Sequence, residues 1–151
     1  MEAPCSTAVS DSPHCWPDLP YNSWKDTQAT LHMWLQMVGK VQLALTPRVN
    51  QWWNVALLVN QFGLRSTPIP YGHRSFEMEF DFNQHKLIIS TNDPAARSID
   101  LAPRTVADFY QEFMAALNAL KIDVKIWKMP VEIADPIPFA KDEVHRTYDP
   151  V

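Results

Sequence analysis

The chain has 151 residues, with 13 Lys+Arg against 17 Asp+Glu and a formal net charge of −4 with histidines neutral, a balance that gives no electrostatic pull toward nucleic acid or anionic lipid. Apolar residues make up 46% and charged residues 20%, enough for one hydrophobic core and outside the range of disordered chains. No uninterrupted apolar run is longer than Val55 to Val59, far short of the ~20 residues of a membrane-crossing helix, and the three glycines cannot assemble a phosphate-cradling loop.

Residues 1–20 carry Pro4, Pro13, Pro17 and Pro20 without apolar periodicity and read as a flexible leader. With no basic segment followed by an apolar one it shows no secretory signal, so a cytoplasmic location is expected. Cys5 and Cys15 both lie there, where a disulfide would staple only a tail, and reduced thiols are expected. A single domain is expected over 21–139, followed by an extended tail over 140–151.

Ser23 and Asp26 have capping-box spacing, Asp replacing the usual Glu or Gln, and predict a helix running to Val38 and stopped by Gly39. Trp24, Thr27, Leu31, Trp34, Leu35 and Val38 share one arc, and Lys25, His32 and Gln36 a neighbouring polar one. Met33 and Met37 form a third side, which predicts cover on more than one face. From Lys40 to Leu45 the period changes to two, predicting a strand that Pro47 ends. Asn54 to Asn60, apolar on both faces, reads as a central strand, and Phe62-Gly63-Leu64 as a turn. Thr67 to Gly72, with Pro68 and Pro70, is expected to be irregular.

The strictest alternation follows, with Phe76, Met78, Phe80 and Phe82 on one face and Glu77, Glu79 and Asp81 on the other. Asn83-Gln84-His85 is a hairpin loop into a strand over Lys86–Thr91, and Asn92-Asp93-Pro94 a turn before a short strand over Ser98–Leu101. Thr105 and Asp108 open a second helix whose apolar face is Val106, Phe109, Tyr110, Phe113, Leu117 and Leu120, ending near Lys121. Asp123–Trp127 reads as a last strand, and Met129–Phe139, with three prolines, as an extended arm. The sum is an α+β class domain: an antiparallel meander sheet of about six strands with two helices packed on one face.

Several segments carry candidate chemistry. The acidic stripe Glu77, Glu79 and Asp81 has the spacing to admit a hard cation, but it lacks the dense ligand loop of a calcium site and reads rather as a solvated sheet face; no metal is expected. His32, beside Gln36 and Lys25, is the candidate catalytic residue, a general base given a suitable partner and otherwise a surface histidine. His14, His73, His85 and His145 are scattered along the chain, so a three-histidine zinc site is not foreseen. Tyr71 and Arg74 flank His73 in a glycine-containing turn suited to a pocket rim or an ordinary hairpin end. Trp52 and Trp53 are adjacent indoles that cannot both enter one core from extended backbone; one is either a stacking platform or covered by the proline arm. No nucleophile motif is present.

The runs LPYNSWKDTQATLHMWLQMVGKVQLALTPRVNQWWNV, PIPYGHRSFEMEFDFNQHKL, VADFYQEFMAALNALKIDVKIW and MPVEIADPIPF, with a closing HRTYDP, resemble a bacterial family known only as a domain of unknown function. The resemblance covers Leu19 to Pro150 and implies no activity. It places Trp24, Asp26, His32, Trp34, Gln36, Gly39, Lys40, Asn50, Trp52, Trp53, Tyr71, Gly72, Glu77, Glu79 and Asp81 at motif positions. Members of the family continue past the YDP segment with a second aromatic-rich half, so this chain resembles an N-terminal half, and a partner supplying the other half is one expectation.

Two functions follow as expectations. The first is a small-molecule ligand-binding or catalytic module. Its cleft lies where the polar edge of the first helix meets the Trp52–Trp53 corner, with His32 moving a proton or orienting the ligand, Gln36 and Lys40 as polar and anion contacts, the indoles as walls, and Tyr71 and Arg74 at the rim. The second is a noncatalytic interaction or homo-oligomerisation module that uses the Trp corner and the proline arm. No cofactor, nucleic acid or membrane partner is expected.

Overall fold

The computed structural model describes residues 18–150; the two cysteines, His14 and most of the expected leader lie outside them. Helix α1 runs over Tyr21–Leu45. It starts from Pro20, to whose carbonyl both the N–H and the hydroxyl of Ser23 donate, at 3.0 and 2.8 Å. Ser23 therefore sits in the first turn and is not the cap. The helix passes straight through Gly39, so the expected strand over Lys40–Leu45 is its last two turns. Val38, Val41 and Leu45 continue the helical spacing onto the core, and this burial outweighs the ~1 kcal/mol propensity cost of an interior glycine. Thr46 ends α1, its N–H and hydroxyl both returning to the Gln42 carbonyl, and Pro47 bars any continuation.

The expected central strand over Asn54–Asn60 is also replaced. Trp53–Val55 is a single 3₁₀ turn, and only Leu58–Val59 (β1) is extended, at the sheet edge. The cause is polar: Gln42 Nε2 donates to the Asn54 carbonyl (3.1 Å), and Asn54 Nδ2 donates to Thr46 Oγ1 (2.9 Å), tying the segment to the end of α1. After a turn in which Asn60 Oδ1 accepts from the N–H groups of Phe62 and Gly63, β2 (Gly63–Arg65) and β3 (Ile69–Tyr71) lie along the same side of β4 (Arg74–Asp81). The expected irregular segment thus contains a strand. Pro70 pairs with Ser75, whose own N–H and carbonyl bond Asn92, so the missing proline donor faces the free edge, where it costs nothing.

The meander continues as expected through β5 (Lys86–Thr91) and β6 (Ala96–Asp100), all antiparallel, in the order β1-β2-β4-β5-β6 with β3 on β4. Helix α2 spans Val106–Ala119, and Thr105 caps it by accepting from the Asp108 N–H at 3.0 Å. Residues 123–127 form no strand. Val124 is buried and Ile126 packs partly on the core, so the apolar alternation is real. Tertiary packing rather than a ladder satisfies it, with Tyr71 Oη accepting from the Asp123 N–H at 2.8 Å.

Both helices pack on the sheet face formed by Phe76, Met78, Phe80, Leu87, Ile89 and Ile99, giving one core and an α+β fold. Trp34, fully buried, stacks on Phe109 with ring centroids 4.4 Å apart. Met33 and Met37 are buried as well, so α1 is covered on more than one side. The segment after the 3₁₀ turn Phe139–Lys141 folds back as a strap. The carbonyls of Asp142 and His145 accept the N–H groups of Ala107 and Val106 at the start of α2, and the buried Asp142 carboxylate holds the His145 ring at 2.7 Å. Among the described residues no helix is long and apolar enough to cross a membrane.

Candidate functional site

The amino-terminal half of α1 does not close fully on the sheet. Trp24, Gln28, Leu31, His32 and Leu35, at helical spacing, form one wall of a cleft of about 520 Å³. Leu64 from β2, with Phe82 and His85 from the β4–β5 hairpin, form the other wall, and Tyr148, Asp149 and Pro150 of the strap close one end. A volume of this size falls within the ~300–1,000 Å³ of small-molecule sites.

Local chemistry places each wall. Asp81, buried, accepts from the N–H groups of Asn83 and Gln84 and from Gln84 Nε2 (2.9, 2.8 and 2.9 Å), which bends the hairpin so that Phe82 and His85 reach the cleft. His85 completes the bend with a φ of 52°. The strap is fastened to α1 by two buried threonines, Thr30 Oγ1 accepting from the Thr147 N–H (3.1 Å) and Thr27 Oγ1 from the Asp149 N–H (3.0 Å). Between these ties Tyr148 stacks on Trp34 (5.7 Å) and shares a hydrogen bond with His85, Oη to Nδ1, at 3.0 Å. Burial pushes the Tyr148 phenol above its ordinary pKa, so it stays protonated across the physiological range.

Of the candidate site residues named from the sequence, only His32 lines this cleft. Gln36, one turn on, faces the proline arm: its Oε1 accepts from the Val131 N–H and its Nε2 donates to the Val131 carbonyl, both at 2.8 Å, while Nε2 also meets His32 Nε2 at 3.1 Å. Lys40 lies against the arm too, with Nζ 4.8 Å from the centre of the Trp127 ring. Burial there lowers its pKa, and it is not among the residues lining the cleft.

Trp52 and Trp53 sit beyond the opposite end of α1, 46% and 64% exposed, so His32 and the indoles do not form one cleft. Trp52 is held in the left-handed region (φ 65°) with the Arg48 guanidinium 4.1 Å over its ring. Tyr71 and Arg74 tie the β3–β4 hairpin to the exit of α2, Arg74 Nη2 donating to the Leu120 carbonyl at 2.9 Å and pairing through Nη1 with Asp93 at 3.4 Å. The acidic stripe is divided among three local tasks. Glu77 pairs with Arg65 at 3.9 Å, Glu79 accepts from Asn60 Nδ2, and Asp81 shapes the hairpin. Among the described residues no three His, Cys, Asp or Glu side chains gather closely enough to hold a metal ion.

Trp24, Phe82, His85 and Tyr148 also line the cleft, and none was a candidate site residue; Trp24 stood only at a motif position and His85 only among the scattered histidines. Phe82 was visible as the last residue of an alternation with no core position left beyond β4. Tyr148 was visible as the aromatic in the YDP motif of an otherwise polar tail. Their juxtaposition with His32 had no local signal.

A family model described as "Family of unknown function (DUF5996)" matches residues 16–151. The chain belongs to this family. No curated protein and no solved structure matches it. Family membership supplies no activity, so the functional reading rests on the geometry of the cleft.

Proposed function

We propose that this family member is a small-molecule-binding module whose site is the cleft between the first half of α1, the β4–β5 hairpin and the strap. The carrying observation is a ligand-sized concavity walled by apolar and aromatic side chains into which His32, His85 and Tyr148 converge. Mostly apolar walls with a few placed polar groups are the usual composition of such sites. His32 keeps the role of a ligand-orienting group; Gln36, Lys40, Tyr71 and Arg74 act as structural ties.

The test uses N-phenyl-1-naphthylamine, a neutral dye that fluoresces on leaving water. The natural chain is expected to bind it saturably with one site per chain. Leu35→Trp, which fills the cleft from the α1 wall, is expected to weaken binding at least about tenfold, with circular dichroism unchanged. Equal binding by both chains, or no saturable binding by the natural chain, defeats the reading.

A second reading has its own observation. Trp53, Val59 (83% exposed) on the short edge strand β1, and Trp52 are exposed apolar side chains, and Trp52 is held in the left-handed region, a conformation that costs about 1–3 kcal/mol. These side chains suit self-association through the sheet edge. Sedimentation equilibrium would show a dimer for the natural chain and a monomer for Trp53→Ser/Val59→Lys; a monomer in both defeats the self-association reading.

A further inference from the structure

The hydrogen-bond directions around the cleft specify the chemistry of its occupant, on the reading that the cleft is a ligand site. Both backbone groups of Val131 pin the Gln36 amide: Oε1 accepts from the Val131 N–H and Nε2 donates to the Val131 carbonyl, each at 2.8 Å. The amide cannot rotate without placing two acceptors and two donors face to face. Its remaining Nε2 proton therefore points to His32 Nε2, 3.1 Å away, and that ring nitrogen accepts. A neutral imidazole that accepts at Nε2 carries its proton on Nδ1. Among the described residues Nδ1 of His32 has no protein partner, and the ring lines the cleft. His32 thus presents a donor.

The opposite wall is amphoteric. If Tyr148 donates to His85 Nδ1, the free His85 Nε2–H is a donor and the phenol oxygen an acceptor; in the reverse arrangement the two roles exchange. Either way one donor and one acceptor remain for a ligand. Among the described residues no Lys or Arg lines the cleft, and the only formal charge there is the carboxylate of Asp149. A phosphate or carboxylate would find no counter-charge and would meet Asp149. A pure hydrocarbon would bury the His32 donor unpaired. Trp24, Phe82 and Tyr148 supply aromatic faces.

We infer that the cleft takes an uncharged, largely aromatic molecule bearing a hydrogen-bonding oxygen, held by a His32 Nδ1–H donor that Gln36 and Val131 fix in that tautomer. Gln36 is the positioning residue: it touches no ligand and acts through the His32 ring.

The test has two readouts on the full chain at about pH 8, where an ordinary histidine is neutral. Nitrogen-15 NMR of the imidazole should show His32 protonated on Nδ1, and Gln36→Leu should return it to the Nε2–H form that histidine ordinarily prefers. In competition against N-phenyl-1-naphthylamine, 2-naphthol should displace the dye at about tenfold lower concentration than naphthalene, with 2-naphthoate the weakest. That tenfold preference should collapse in His32→Leu. An Nε2–H tautomer in the natural chain, or 2-naphthoate binding as well as 2-naphthol, overturns the inference. Saturable dye binding without discrimination among the three overturns the ligand class and leaves the cleft standing, whereas no saturable binding of any probe defeats the cleft as well.

Discussion

Burial beside Trp34 raises the Tyr148 pKa, and burial in the α2 face raises that of Tyr110. Both phenols hold their protons more tightly in the folded chain than in the unfolded one, where they ionise near pH 10. The sign follows: their contribution to stability is complete below about pH 10 and is lost as the pH rises through the folded values. Tyr148→Phe is expected to lower stability at neutral pH by about 0.5–1.5 kcal/mol, the worth of the hydrogen bond to His85, and to make the alkaline loss above about pH 10 shallower. Urea unfolding at neutral and alkaline pH checks both; an equally steep alkaline loss in the variant removes Tyr148 as its cause. Single residues also show what could be read early. His32 stood out on a polar helical arc with Lys25 and Gln36, whereas His85 looked like one more hairpin residue until its partner Tyr148 was placed.

At the scale of elements, two glycines behave oppositely. Gly39 lies inside α1 with no atom within 4 Å of the position a Cβ would take, so Gly39→Ala is expected to stabilise the chain by about 0.5–1 kcal/mol. Gly63 opens β2 at φ 150°, and a Cβ there would strike the Phe80 carbonyl oxygen and the Phe82 ring. Gly63→Ala is expected to cost about 2–4 kcal/mol and, because Leu64 and Phe82 are cleft walls, to weaken dye binding. Thermal unfolding of the two variants reads both signs. The same pair marks where elements were legible. Helix α2 and the β4–β5 hairpin carried cap, period and turn in agreement, and they formed where expected. In α1 the glycine and a short alternation pointed to a stop, but continued burial of Val38, Val41 and Leu45 overrode them. At Asn54 an apolar run looked like a strand until the Gln42 amide of α1 captured its backbone carbonyl.

At the scale of the molecule, the strap joins the two ends of the described chain. Its ties to Thr30 and Thr27 span 117 and 122 residues of sequence, and its carbonyls cap α2, so one irregular segment couples both helices and closes the cleft. Thr27→Val/Thr30→Val keeps the side-chain shape and removes both acceptors. It is expected to lower stability by about 1–3 kcal/mol and to speed amide exchange at Thr147 and Asp149, measured by hydrogen exchange. Unchanged exchange would mean that the Tyr148 contacts and the bonds to α2 hold the strap without the threonines.

The sequence by itself determined the α+β class, the antiparallel meander and the inward face of β4 and α2, because periods of two and of about 3.6 residues and a threonine cap act within a few positions of the chain. Only the tertiary structure decided the length of α1, the edge position of β1 and the cleft itself. Trp24, His32, Phe82, His85 and Tyr148 come from α1, a hairpin and a strap, and no local pattern encodes their meeting. It results from packing two helices over one curved sheet and tying the chain's last described residues back to its first helix.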